Sequence, residues 1–221
     1  MLPLDQLLGS LRAAPDRDAA LASYRVLAAR YDASCRLIES LRLAAIDALA
    51  PQPGETVYDV ACGTGAVLPI LAQRVGANGC VIGIEQSPDM AHWAAARFPG
   101  AELPANVELL IAAAEEASPS SPADAMLFCY THDVLQSPRA LDNLLAHARS
   151  GTRVAVLGLR LLPWWWGAPI NLWKLWRGRY YRSTVSGMRA PWALLAARVE
   201  ALRVVRWFHL GTNYLALGRV A

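Results

Sequence analysis

The chain has 221 residues, enough for one domain with a full core, and 55% of them are hydrophobic. No uninterrupted apolar run reaches the length of about 18 that a transmembrane helix needs, and no basic stretch followed by an apolar one and a cleavage site is read as a secretory leader. The net charge of +3 conceals a split: residues 1–150 hold ten arginines and seventeen acids (−7), whereas residues 151–221 hold eleven cations and one acid, Glu200 (+10).

In chain order, the Ala- and Leu-rich stretch from about Asp16 to Ala50 predicts helix, stopped by Pro51-Gln-Pro-Gly54. Thr56–Val60 predicts a first strand, and the helix after it spans about Gly65 to Val75, with Pro69 near its first turn. Gly76-Ala-Asn-Gly79 turns the chain into a second strand, Cys80–Ile84. Ser87 and Pro88 are the N-cap and first position of the next helix. Further strands are predicted at Val107–Ile111, Ala125–Cys129 and Arg153–Gly158, with a helix at Pro138–Arg149 between the last two. The pattern then breaks into a Trp-, Arg- and Pro-rich insertion from Leu161 to Ala190. A helix at Pro191–Val199 and two strands, near Val204–Leu210 and Asn213–Gly218, complete the chain.

The four cysteines, Cys35, Cys62, Cys80 and Cys129, have neither CxxC nor Cys/His metal spacing. A reduced cytoplasmic protein without a structural metal is the expectation.

The most informative stretch is Val57-Tyr-Asp-Val-Ala-Cys-Gly-Thr-Gly65 with the second strand, which ends in Glu85. Glycines at such a turn let backbone approach a ligand, and the helix that follows presents unpaired N–H groups. A carboxylate about 20 residues past the turn suits both hydroxyls of a ribose. A dinucleotide fingerprint would approach a pyrophosphate. Here Asp59 stands at the strand end, and its carboxylate would repel phosphate but suit an ammonium group. S-adenosylmethionine carries an ammonium and a ribose and has no phosphate.

The segment Asp59-x-Ala61-x-Gly63-x-Gly65 resembles motif I of the class I S-adenosylmethionine-dependent methyltransferases. The order of elements resembles that family to the end of the chain. The resemblance implies an α/β fold, a Rossmann-like seven-stranded, mostly parallel sheet with its last strand antiparallel and helices on both faces. One domain over residues 1–221 is expected, with an N-terminal helical lid over about 1–50 and a substrate cap over about 161–190. Tyr31-Asp32 resembles the Tyr-Asp element of quinone-biosynthesis and phospholipid methyltransferases, where this segment closes over the donor; packing of the helix on the sheet is the alternative. The cofactor contacts implied are Tyr31, Asp59, Ala61, Gly63, Gly65, Glu85, Gln86, Ala113, Ala114, Cys129 and Tyr130. Relatives usually place an adenine-binding Asp where this chain has Ala113, so Glu115, Glu116 or backbone groups must take that task.

In an open α/β sheet the ligand lies beyond the carboxyl ends of the strands. Tyr130, Thr131, His132 and Asp133 directly follow the fourth strand, which makes His132 and Asp133 the catalytic candidates. His132 has the chemistry of a general base near neutral pH, or shapes the pocket. His92, His147 and His209 fall within predicted elements and are read as surface or packing residues.

Tyr24, His132, Trp164, Trp165 and Trp173 are the acceptor candidates. Seven of eight tryptophans lie after residue 160, and Ile170, Trp173, Trp176 and Tyr180 share roughly one helical face. That composition suits either the apolar wall of an acceptor pocket or peripheral contact of residues 161–182 with the inner face of a membrane. Methyl transfer to a small, largely apolar acceptor is the leading expectation: a lipid, a quinone-like molecule, or a natural-product amine, hydroxyl or thiol. An RNA methyltransferase and a non-catalytic S-adenosylmethionine-binding module are the alternatives. The basic C-terminal part speaks for RNA, but it has a single lysine and no Asn-Pro-Pro-Tyr-like motif follows the fourth strand.

Overall fold

A computed structural model describes residues 15–35, 38–178 and 182–221. Two helices come first, α1 (Arg17–Cys35) and α2 (Glu39–Leu49), then β1 (Thr56–Val60), α3 (Leu68–Val75), β2 (Cys80–Glu85), α4 (Pro88–Ala95) and β3 (Val107–Ile111). After these come β4 (Ala123–Cys129), the single turn α5 (His132–Leu135), α6 (Pro138–Ala146), β5 (Ala148–Leu159), α7 (Trp164–Arg177), the single turn α8 (Ala193–Ala196), β6 (Glu200–Phe208) and β7 (Asn213–Arg219). The strands form one sheet in the order β3-β2-β1-β4-β5-β7-β6. β7 runs antiparallel to both its neighbours, and the other pairs are parallel. This is the sheet that the sequence predicts.

Alternation along β1 shows how both faces are covered. Val57 joins a core with Leu41, Ile46 and Leu49 of α2 and Leu68 and Leu71 of α3. Tyr58 and Val60 face the opposite core, with Phe128, Leu141 and Leu144 of α6 and Tyr214 of β7. Each fully buried side chain of this size contributes roughly 1.5–3 kcal/mol. Local chemistry starts the helices. The Ser87 hydroxyl accepts from the Met90 N–H at 3.3 Å and that of Ser137 from the Ala140 N–H at 3.3 Å, and a proline follows each cap.

Several element boundaries differ from expectation, four of them by a change of element and not of a residue or two. The predicted helix over Asp16–Ala50 is two helices, and Ala50 ends the second with φ +51°. α6 stops at Ala146 because β5 begins at Ala148, where Ala123 of β4 pairs with it. The helix expected over Pro191–Val199 is one turn. β6 starts at Glu200, and a short 3-10 turn (His209–Gly211) joins it to β7. Asp59 stands opposite Gly83 on one side and Leu127 on the other, so β1, β2 and β4 end together and their loops crowd one edge. Among the described residues no helix is long and apolar enough to cross a membrane.

Candidate active site

Two cavities open at that edge. The first, about 590 Å³, is walled by the turn after β1, the end of β2, the loop after β3 and helix α1. Ala61, Gly63 and Gly65 all adopt positive φ, +51°, +58° and +68°, which coils the backbone tightly. The two glycines serve different ends. A Cβ on Gly63 would meet nothing within 4 Å, so the space beside it is open to a ligand. A Cβ on Gly65 would lie 2.8 Å from that of Ala94, so this glycine lets the turn pack on α4 and does not reach the cavity wall.

Glu85 is buried and lines the cavity. Its two carboxylate oxygens accept from the N–H groups of Gly63 at 2.9 Å and Ser87 at 2.8 Å. Each oxygen keeps a second lone pair for another donor. Burial raises its pKa, and these backbone donors, with that of Gln86, oppose the rise. Asp59 is buried as well, but behind the wall and not in it, contrary to the expected direct contact. Its Oδ2 has no partner among the described residues. Burial pushes its pKa up to about 7, with Arg42 opposing and Glu85 adding to the rise.

Ala113, in the slot where an adenine-binding acid is expected, forms a buried apolar wall with Ala114. Neither glutamate nearby is uncommitted: Glu115 accepts from the Ser137 hydroxyl at 2.6 Å, and Glu116 pairs with Arg17 at 3.3 Å. α1 lies over the cavity. Tyr24 and Tyr31 meet edge to face at 6.4 Å and both line it, so Tyr24 belongs to this cavity and not to the acceptor side. Asp32 lies on no wall of this cavity. It accepts from the Thr64 hydroxyl at 2.6 Å and from Arg97, and Arg97 also donates to the Thr64 carbonyl at 2.8 Å. The Tyr-Asp pair thus divides its work: the tyrosine walls the cavity and the acid fastens α1 to the glycine turn.

The second cavity, about 500 Å³, is apolar. Leu135, Leu159, Ile170, Trp173 and Met188 line it, Gly158 makes room there for the Tyr214 ring, and Lys174, Arg177 and Arg182 are its cations. Among the described residues no Asp or Glu lines it. The two cavities share one wall, made by Tyr31, Tyr130, Thr131 and His132. Tyr130 holds a left-handed backbone, φ +60°, with its hydroxyl donating to Asn213 Oδ1 at 3.0 Å. Non-glycine residues adopt that conformation uncommonly and at a cost in backbone strain. Burial raises the pKa of both Tyr31 and Tyr130.

Thr131 Oγ1 and both ring nitrogens of His132 are buried without a partner among the described residues. So are Asp133 Oδ1, Arg182 Nε and the Tyr214 hydroxyl, and all five residues line one cavity or both. Buried polar groups are nearly always satisfied, so such a cluster marks a place built for a ligand. Burial lowers the pKa of His132. Arg182 acts in the same direction, against Asp133 and the backbone of Ser186, so the ring is neutral near pH 7.

Asp133 does not face the acceptor side. Its Oδ2 accepts from the Ser183 N–H at 2.8 Å and hydroxyl at 2.7 Å, and the same hydroxyl accepts from the Asp16 N–H at 2.8 Å. The expected catalytic acid instead ties the insertion and the start of α1 to the end of β4.

Residues 57–152 match the family model described as a methyltransferase domain. The chain is 35% identical over 104 residues to aklanonic acid methyltransferase DauC of Streptomyces sp. strain C5, covering 47% of this chain and 46% of that one. It is 45% identical over 51 residues to nocamycin O-methyltransferase of Saccharothrix syringae, covering 23% of this chain and 18% of that one. The chain therefore spans less than half the length of these curated relatives. In fold it resembles the N-methyltransferase NodS of Bradyrhizobium japonicum WM9, solved with S-adenosyl-l-homocysteine. The TM-score is 0.67 at 15% identity, covering 92% of this chain and 99% of that one.

Residues 57–152 are thus similar to a methyltransferase domain, on a fold shared with a methyltransferase solved with S-adenosyl-l-homocysteine. The residues fit S-adenosylmethionine on two independent observations: the open cradle beside Gly63 and the spare lone pairs of Glu85. Gln86 and Cys129 line the same cavity, as expected of this domain.

The acceptor candidates fare less evenly. Trp173 lines the second cavity, and His132 lines both. Trp164 and Trp165 line neither and are 47% and 87% exposed, because the first turn of α7 points them outward. Tyr180 lies outside the described residues. Sequence reasoning missed Gly158, Arg182, Met188 and Tyr214. Gly158 closes an apolar strand, which was a usable signal; Arg182 is one cation among many in the insertion and carried none.

Proposed function

We propose that this protein transfers a methyl group from S-adenosylmethionine to a small, largely apolar acceptor that carries an acidic oxygen, such as a carboxyl or a phenol. The observation that carries it is the shared wall: a polar cavity with Glu85 and an apolar one with cations meet at Tyr31, Tyr130, Thr131 and His132. When bound, the cofactor supplies a methyl group on a sulfonium, a good leaving group. The chain's task is then to align, to dry the site and to handle a proton. Gly63 and Glu85 hold the donor on one side, and Leu135, Leu159 and Met188 exclude water on the other. His132, neutral through burial, accepts the proton of a hydroxyl acceptor; a carboxylate needs no base.

The polarity of the second cavity decides the acceptor's charge. With three cations and no acid on its wall, it suits an anion and repels an ammonium. The two curated relatives, named as an acid methyltransferase and an O-methyltransferase, agree with oxygen as the acceptor atom. An apolar space of this volume favours a small molecule over an RNA strand, and a donor sensor would have no use for a second cavity. Peripheral membrane contact through residues 161–182 belongs to the same proposal. Methyl-labelled donor incubated with separately extracted metabolites, lipids and RNA should label an apolar acidic metabolite fraction in a base-labile or phenol-ether form. Label confined to RNA, or to none of the fractions, would defeat the proposal.

A further inference from the structure

α7 is inside out. Its buried residues are Gly167 and Asn171, and the Asn171 amide is satisfied by both backbone groups of Leu162, at 2.9 Å each. Its exposed residues are almost all apolar: Trp165 at 87%, Leu172 and Trp176 at 60%, Trp173 at 54% and Trp166 at 43%. At about 100° per residue these five, with Pro169 and Arg177, fall within an arc of about 140°, and Trp164, 47% exposed, lies about 80° beyond its edge. A helix at a protein surface ordinarily turns such an arc inward. Leu210 extends the apolar surface from another element. It is 79% exposed and lines the second cavity together with Trp173. The backbone holds it out at a cost, since His209 and Leu210 are consecutive non-glycine residues at φ +48° and +57°. A contiguous exposed patch of this size marks an interaction surface.

We propose that this face docks on an anionic lipid bilayer, with the mouth of the acceptor cavity against the lipid. Charge decides between a bilayer and a second copy of the chain. α7 carries Lys174 and Arg177 and no acid, and residues 151–199 contain no acid at all. Two copies of this face would bring like charges together, whereas anionic headgroups bring opposite ones. Tryptophan rings with flanking cations match the headgroup depth of a bilayer, where ring bodies are apolar and indole N–H groups stay wet. Arg177 stacks near the Trp173 ring, 5.7 Å from its centroid, so cation and ring meet the surface together. The placement has a functional consequence, because Ile170, Trp173, Lys174 and Arg177 of this helix also line the acceptor cavity. An apolar acceptor dissolved in the bilayer then enters without crossing water. That consequence rests on the proposed apolar acceptor; the docking itself does not.

The test is flotation of the purified chain with vesicles of phosphatidylcholine alone and with about 30% phosphatidylglycerol added. Parent protein should bind the anionic vesicles about tenfold more tightly than the neutral ones, and should lose most of that difference in about 0.5 M salt. The double variant Trp165→Ser, Leu172→Ser should bind about tenfold more weakly. Neither residue lines a cavity, so the thermal shift produced by S-adenosylhomocysteine should be unchanged. That shift, read on the same samples without vesicles, separates the two proposals: its loss would count against the functional reading while flotation still supported docking. Parent protein that ignores both vesicles overturns the docking, as does a double variant that floats like the parent. A parent that is dimeric by light scattering, with a monomeric double variant, overturns it too, since a second copy would then cover the face.

Discussion

The donor half and the acceptor half of this molecule are made of opposite materials. The donor side is built from backbone: a glycine turn, N–H groups that fix Glu85, and two buried acids, Asp59 and Glu85. The acceptor side is built from side chains on the insertion and the β6–β7 corner, with three cations and no acid. A ligand that never changes can be held by backbone geometry, which few substitutions alter. An acceptor that differs between relatives must be read by side chains, and these sit on segments outside the repeating β-α pattern.

His132 stands where the halves meet, and the largest effect is expected there. His132→Ala should lower turnover by roughly 10²–10⁴ for a hydroxyl acceptor while the donor-induced melting shift persists. Because burial holds its pKa below the ordinary histidine value, activity should persist to lower pH than an exposed histidine would permit. A loss of only a few-fold would leave alignment as the mechanism, or a carboxylate as the acceptor.

The donor side breaks next. At about 100 times its dissociation constant, S-adenosylhomocysteine should add roughly 2.7 kcal/mol, or about 5–10 °C of melting temperature for this size. Gly63→Val should remove that shift by straining a positive φ and filling open space. Gly65→Val should lower the melting temperature of the free protein instead, because its Cβ meets Ala94. Equal behaviour of the two variants would contradict the division of labour between the glycines.

On the acceptor side, Arg182→Met should raise the KM of an anionic acceptor by about tenfold, the scale of a charged hydrogen bond. Arg182→Lys should restore part of it. The Leu175 carbonyl, which Arg182 caps at 3.0 Å, makes a parallel melting measurement necessary as a control.

Near pH 7 the smallest effect is a pH dependence of donor binding. Asp59 has a folded pKa of about 7 against an ordinary value near 3.9, so the folded state holds its proton more tightly. Its burial therefore destabilises the free protein progressively as pH rises from about 4 to 7. An ammonium group favours the ionised acid, so donor affinity should fall by up to tenfold per unit below pH 7, and Asp59→Asn should flatten the profile. Arg42 and Glu85, the other charges that act on Asp59, stay in place in that variant. A flat profile for the parent between about pH 5 and 8 would rule this linkage out.

What could be read from the sequence follows the same division. The bounds of β1 and β3 were legible residue for residue, because each apolar run opens after turn formers, Pro53-Gly54 and Pro104 with Asn106. The start of α2 at Glu39 was not: Ile38, at its N-cap, is neither a capping residue type nor a glycine or proline. Gly63 and Glu85 were legible because their spacing encodes a backbone shape. Trp164 and Trp165 were misassigned because an aromatic residue looks alike in a pocket wall and on an outer face, and only the register of α7 separates the two. Asp133 was misread for a related reason. Its partner Ser183 lies 50 residues away, and no local pattern announces the contact.

The central claim is that donor and acceptor occupy different cavities across one wall. A crystal structure with S-adenosylhomocysteine tests it most directly. The ligand should touch Gly63, Glu85 and Ala113 in the polar cavity and leave Leu159 and Met188 untouched in the apolar one. Ligand seated among Leu159, Met188 and Trp173, with Glu85 uncontacted, would contradict the account.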